Sequence, residues 1–289
     1  MQQRSFIRRL PGKIVTPINR KIGQKVYGNI ANLSDNLIGS HRWNNNKKAC
    51  NANISQSEEA KQLVNDGCGI YPYGFKKEII DEIYAEYNKV IHAPKHSEFS
   101  NQYAQIVPEE DGTYRSRIIN ALESVPSGYK LFTDEFIGFV EQYYQSHFRL
   151  HSCEMWQTRH ISQEHLDEIY PLQPYSILWH VDGHPTDTLK FFLVLSDVTD
   201  DHGPLHFLNK ERTSEILKKG YRDRFNYNMP CSELEDSRYL NKLTGKSGTA
   251  GFVNVTQCLH RAGVPIKGNY RDILEFRLES SDTPFKIPG

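Results

Sequence analysis

The sequence predicts a mainly β domain with helices (α+β): a jelly-roll barrel, or double-stranded β-helix, backed by N-terminal helices. Three observations carry that expectation. Apolar residues recur at helical spacing early in the chain, over 76–91 and again after Thr133. From residue 150 the pattern changes to short β-branched and aromatic runs separated by Gly, Pro and Asp. One of these runs, Leu189–Val198, is nearly continuous apolar, as in a strand covered on both faces. Many short strands after a helical start fit a two-sheet barrel with helices on one side.

At 289 residues the chain can bury a full core. Charged residues at 24% and apolar ones at 38% are ordinary for a soluble globular domain. The net charge is zero but unevenly placed. Residues 1–50 hold ten Lys/Arg against one acid, Asp35, leaving 25 basic and 34 acidic residues in 51–289. The five cysteines (Cys50, Cys68, Cys153, Cys231, Cys258) are scattered and odd in number, which argues for a reducing compartment over a disulfide framework. No 18-residue apolar run and no secretory leader is present, so a cytoplasmic location is expected.

Residues 1–57 divide into a basic arm, broken by Pro11 and Pro17, and a polar linker over 44–57. A peripheral membrane contact through residues 1–50 competes with plain packing of the arm on the acidic body. No nucleic-acid partner is expected, since no aromatic-basic platform accompanies the charge. The globular domain spans 58–289. Residues 66–75 read as a short strand and turn. Helix 76–91 presents Ile79, Ile80, Ile83, Tyr84, Tyr87, Val90 and Ile91 on one face. Residues 93–130 are loop-rich, with a strand over 114–119. Thr133 caps a second helix whose first turn is acidic and whose apolar face is Phe136, Ile137, Val140, Tyr143 and Tyr144. Strands follow at 151–159, 174–181, 189–198, 204–208, 248–255 and 271–279. The polar stretch 210–247 interrupts them as an insertion or lid, with a helix near 213–219.

The chemistry is concentrated at Trp179-His180-Val181-Asp182-Gly183. On a strand, residues i and i+2 share a face, so His180 and Asp182 can chelate one ion. The triplet alone means little, because roughly one His-x-Asp is expected by chance in such a chain. A second, His165-Leu166-Asp167, lies in a helical pattern, where i and i+2 point apart, and is set aside. The downstream residues add weight. His260 follows the 248–255 strand, and Arg271 opens the next strand eleven residues later. Two imidazoles and one carboxylate match the facial triad of non-heme Fe(II) oxygenases. An arginine beside it can hold a dicarboxylate by two hydrogen bonds.

Trp179–Gly183, then Asp201-His-Gly-Pro-Leu205, then His260 and Arg271, resemble in order and spacing the phytanoyl-CoA dioxygenase-like family of Fe(II)/2-oxoglutarate oxygenases, over roughly residues 65–280. The resemblance implies His180, Asp182 and His260 as iron ligands and Arg271 as partner of the 2-oxoglutarate C5 carboxylate. By its place in the pattern Gln157 is a further co-substrate contact and Phe192 a neighbour of the site; a structural role competes for both. This chain has Leu208-Asn209-Lys210 where the family often has a Gly-Ser-His turn, and Ala262 where it often has a hydroxyl residue. The second difference removes one hydrogen bond to the co-substrate, and neither removes a ligand. The intact Asp182 sets the chain apart from the family's halogenating variants.

The function so implied is a dioxygenase using Fe(II), 2-oxoglutarate and O2, hydroxylating a small-molecule or lipid-like substrate and releasing succinate and CO2. The rivals are a cupin-like metal-dependent isomerase or epimerase, which needs no dicarboxylate clamp, and a non-catalytic ligand-binding barrel.

Overall fold

The structure is a computed structural model that describes residues 37, 39–50, 54–93, 104–109, 112–162, 177–219, 221 and 231–287. The arm before residue 37, the His165 triplet and residues 174–176 of the expected 174–181 strand lie outside these residues.

Helix α1 covers residues 39–50, inside the stretch read as basic arm and linker. Arg42 docks it. The guanidinium donates to both carboxylate oxygens of Asp187, at 2.7 and 2.5 Å, and lies 3.0 Å from Glu279. Ser280 Oγ also donates to Asp187, at 2.8 Å, and Asn46 donates to Ser280 at 2.9 Å. Asp187 and Glu279 are both fully buried, so they depend on these partners. Removing residues 1–50 should therefore cost about 3–5 kcal/mol more than removing residues 1–36. Equal melting of the two shortened chains would show that Arg42 contributes nothing. Partition of the 1–36 deletion onto anionic vesicles at low salt tests the membrane contact in the same preparation, and unchanged partition would end that idea.

Helix α2, Glu58–Asp66, starts at Ser57, whose side chain accepts from Ala60 N, and stops at Gly67. Gly67 has φ 74°, and a Cβ there would lie 2.8 Å from Cys258 Sγ. Strand β1 is Cys68–Ile70 and helix α3 is Lys77–Ile91, burying Ile80, Ile83, Tyr87 and Val90. Strands β2 (Ala104–Glu109) and β3 (Gly112–Ile119) form a hairpin; only β3 had a counterpart in the sequence reading. Helix α4, Asp134–Tyr144, is capped by Thr133, whose hydroxyl accepts from Phe136 N. Then come β4 (His147–Arg159), β5 (Leu189–Val194), β6 (Leu205–Phe207), helix α5 (Lys210–Lys218), helix α6 (Cys231–Leu234), β7 (Asn241–Leu243), β8 (Ala250–Val253), β9 (His260–Ala262) and β10 (Tyr270–Ser281).

The strands make two antiparallel sheets. The larger runs β1-β8-β5-β10-β4-β3-β2 and the smaller β7-β6-β9. The C-terminal strand β10 thus lies in the middle of the larger sheet, between β5 and β4. Helices α3 and α4 cover one face of that sheet. Phe136, Phe191, Phe252 and Phe276 meet there with ring centroids 5.0 to 6.3 Å apart, several of them edge to face. On the other face Phe192, Val194 and Ile273 pack against Leu205, Phe207 and Leu243 of the smaller sheet. This is the expected helix-backed, two-sheet arrangement. A closed barrel is not shown: among the described residues the strands form two separate sheets, with isolated bridges outside them pairing His180 with His260 and Val198 with Gly245. The stretch 177–179 is turn and coil, not the strand expected through 181.

Candidate metal centre

His180 and His260 are held by one reciprocal backbone pair. His180 N donates to His260 O at 3.0 Å, and His260 N donates to His180 O at 2.9 Å. Two residues on, Asp182 N donates to Val255 O at 2.7 Å. These three hydrogen bonds do what the expected strand was to do. They fix the register of the loop against β9, so residues eighty positions apart converge. Tyr221 adds a further bond from its hydroxyl to Trp179 O.

The result is a compact donor set: ligand atoms of His180, Asp182 and His260 all lie within 4.8 Å of one another. His180 Nε2 is 3.4 Å from Asp182 Oδ1, and His260 Nε2 is 3.8 Å from Oδ2. Each ring has its other nitrogen engaged. His180 Nδ1 lies 2.6 Å from Leu178 O, and His260 Nδ1 lies 3.0 Å from Cys258 O. A carbonyl only accepts, so both Nδ1 carry a proton, and the two Nε2 are the ring atoms left facing the carboxylate, where a metal would take them. That tautomer and aim are what a metal requires of histidine ligands. Burial, then neighbouring His180, pushes His260 down to about 3, so it is neutral near pH 7. Burial would raise the Asp182 carboxyl, but Lys190, His180 and His260 outweigh it and hold it well below the usual range. The residues present fit a divalent ion.

Lys190 is the residue that sequence reasoning missed. It stands on β5 inside the run read as apolar. Its ammonium lies 3.2 Å from Asp182 Oδ2 and 3.0 Å from Glu275 Oε1. Burial opposes the charge, yet the two carboxylates hold the ammonium's pKa above its ordinary value. A lone charge in a strand covered on both faces was the signal, since such a group needs a partner. His184 completes the surround, its Nε2 3.6 Å from Asp182 Oδ2.

Arg271 is buried on β10, where Nη1 donates to Gly263 O at 3.2 Å and to His202 O at 3.4 Å. It shares a strand face with Ile273 and Glu275, and Glu275 lies four residues or roughly 13 Å along. Arg271 thus sits on the triad side of the sheet. Phe192 lies on this side too, in the cluster between the sheets. Gln157 does not. It pairs in register with Asp272 and donates to Asp272 Oδ1 at 3.0 Å, beside Tyr87, which donates to the same oxygen at 2.7 Å. Neighbours on a strand point to opposite faces, so Gln157 looks toward α3 and away from Arg271. The co-substrate contact expected of it is corrected to a structural one. On β4 it is Trp156 and Thr158 that share the face of Arg271. His206 also points elsewhere, its ring near Trp179 and accepting from Arg261 Nε at 3.1 Å.

No protein-family model matches the chain, and no curated protein matches it in sequence. Solved structures do resemble it. EctD from S. alaskensis in its apo form gives a TM-score of 0.55 at 14% identity, covering 80% of this chain and 79% of that one. HygX from Streptomyces hygroscopicus with nickel and 2-oxoglutarate bound gives 0.52 at 12% identity, covering 80% and 89%. The non-heme alpha ketoglutarate dependent epimerase SnoN from nogalamycin biosynthesis gives 0.52 at 16% identity, covering 76% and 81%. At these identities the likeness is one of fold: the chain shares their antiparallel-sheet-and-helix architecture.

The site also sets a pH dependence. Burial pushes His184 down to about 4 and, with Arg261 beside it, His206 down to about 3, alongside His260. A histidine whose folded pKa is depressed contributes stability that is present above its unfolded value, about 6.5, and lost as pH falls. The depressed Asp182 and Glu279 carboxyls act in the same direction at lower pH. The metal-free thermal midpoint should therefore fall steadily from about pH 6.5 toward pH 4.5. A flat midpoint over that window would refute the neutral, buried assignment.

Proposed function

We propose that this chain is an Fe(II)- and 2-oxoglutarate-dependent oxygenase that hydroxylates a small molecule. The observation that carries the reading is the donor set: two histidines with Nδ1 tied to backbone carbonyls, both Nε2 facing one carboxylate. His180, Asp182 and His260 would hold the iron. The bound iron, with O2, supplies oxidative decarboxylation of 2-oxoglutarate to succinate and CO2, coupled to oxidation of the substrate.

The protein's own part is placement. Two imidazoles and one carboxylate leave positions open for co-substrate. Arg271 takes the far carboxylate in a water-poor recess, where a guanidinium outperforms an ammonium. Phe192, Val194 and Ile273 keep water from the space between sheets. Near Asp182 the lining changes character. Lys190 pairs with Glu275, and Glu154, directly across from Glu275 on β4, pairs with Arg117. That lining supports a polar substrate over an acyl chain.

Within the oxygenase class, the order and spacing of the 179–183, 201–205 and 260–271 motifs support a phytanoyl-CoA dioxygenase-like relationship. The runner-up outcome is epimerisation with the same cofactors, which is what SnoN is described as doing. Among the described residues no helix is long and apolar enough to cross a membrane; the proposed cytoplasmic location rests instead on the five scattered cysteines, which suit a reducing compartment. Anaerobic addition of Fe(II) and 2-oxoglutarate, followed by a visible charge-transfer band, tests cofactor binding. Succinate release on admitting O2 tests turnover. Metal binding without any 2-oxoglutarate effect would favour the isomerase reading.

A further inference from the structure

We propose that the Lys190 ammonium serves as the counter-ion of Asp182 in the metal-free protein, holding the carboxylate in its binding pose and weakening the grip on a divalent ion. This rests on the reading of His180, Asp182 and His260 as metal ligands.

The geometry carries it. Lys190 belongs to β5, a strand paired on both sides, with Val253 of β8 and Arg277 of β10 as its register partners. Its stem therefore has a fixed origin. The side chain is 14% exposed and ends between two acids that are 16% and 12% exposed, Asp182 and Glu275. Without a cation, a carboxylate this enclosed would be costly, and Lys190 offsets that cost before any metal arrives. The same ammonium is within a few ångströms of where the triad converges, so it repels an incoming divalent ion. Glu275 limits that repulsion by sharing the ammonium's charge. Lys190 and Glu275 should thus act on metal affinity with opposite signs. A purely structural pair would lower affinity whichever member were removed.

The test is calorimetric titration of the full metal-free chain with Mn(II), together with its thermal midpoint, for wild type and three variants. Lys190→Met should bind Mn(II) about tenfold more tightly and melt lower without metal. Glu275→Gln should bind it about three- to tenfold more weakly. The double variant Lys190→Met/Glu275→Gln leaves no unpaired Glu275, so it guards against misfolding, and it should still bind more tightly than wild type. Weaker or unchanged binding in both Lys190 variants, or tighter binding in Glu275→Gln, would overturn the inference. Failure of the wild type itself to bind would instead reject the metal site.

Discussion

His260→Ala and His180→Ala lose divalent-metal binding by more than about a hundredfold, and with it all decarboxylation of 2-oxoglutarate, while both chains remain folded. Each change removes one of only three donors. No other described His, Cys, Asp or Glu joins the cluster; His184 reaches Asp182 Oδ2 at 3.6 Å but lies outside the set, so it does not take the lost nitrogen's place as it stands. The folding cost is smaller, about 1–3 kcal/mol for a buried polar side chain, because the backbone pair between residues 180 and 260 does not depend on the rings. His165→Ala is the control and should leave both properties nearly intact. Metal titration and succinate assay on folded protein decide the matter. Retained metal affinity in His260→Ala would dissolve the triad.

Arg271→Ala weakens 2-oxoglutarate by a factor of roughly 30 to 1000, equivalent to about 2–4 kcal/mol for a desolvated, charge-assisted pair. Arg271→Lys should recover only part of this, because the ammonium keeps the charge but loses the planar fork. It must also face the carbonyls of Gly263 and His202 that the guanidinium now engages. Metal affinity should barely move, since Arg271 holds no ligand. A 2-oxo acid with an uncharged tail should rescue Arg271→Ala in part. The check is the 2-oxoglutarate dependence of decarboxylation with metal content measured in parallel. An unchanged dependence in Arg271→Ala removes the arginine from the site and returns weight to the isomerase reading.

The donor set was legible because its spacing reports local geometry plus one long-range pairing, and both were written in residue types. Helices α3 and α4 were legible for a similar reason: their apolar periodicity is a property of the segment itself. The departure at 177–181 is instructive. Aromatic and β-branched residues there promised a strand, but three backbone bonds to β9 and Val255 supply the same alignment to coil. Gln157 failed because alternation was not counted from Arg271 across the β10–β4 register, which the sequence does not print. Lys190 and Arg42 were hidden for the same physical cause. Glu275, Asp187 and Glu279 lie remote from them in sequence, Asp182 lies eight residues from Lys190 across a turn, and charge pairing has no periodicity to reveal any of these contacts.

The position of β10 bears on when this site comes into being. The last strand of the chain is inserted between β5 and β4, and β1 near the start pairs with β8 close to the end. Four of the larger sheet's six pairings wait for β8 or β10. Such non-local wiring slows folding, because long loops must close before their contacts reward them. His260 itself is contributed eighty residues after His180. A metal ion thus cannot template the early steps; it is a late arrival to a nearly finished architecture.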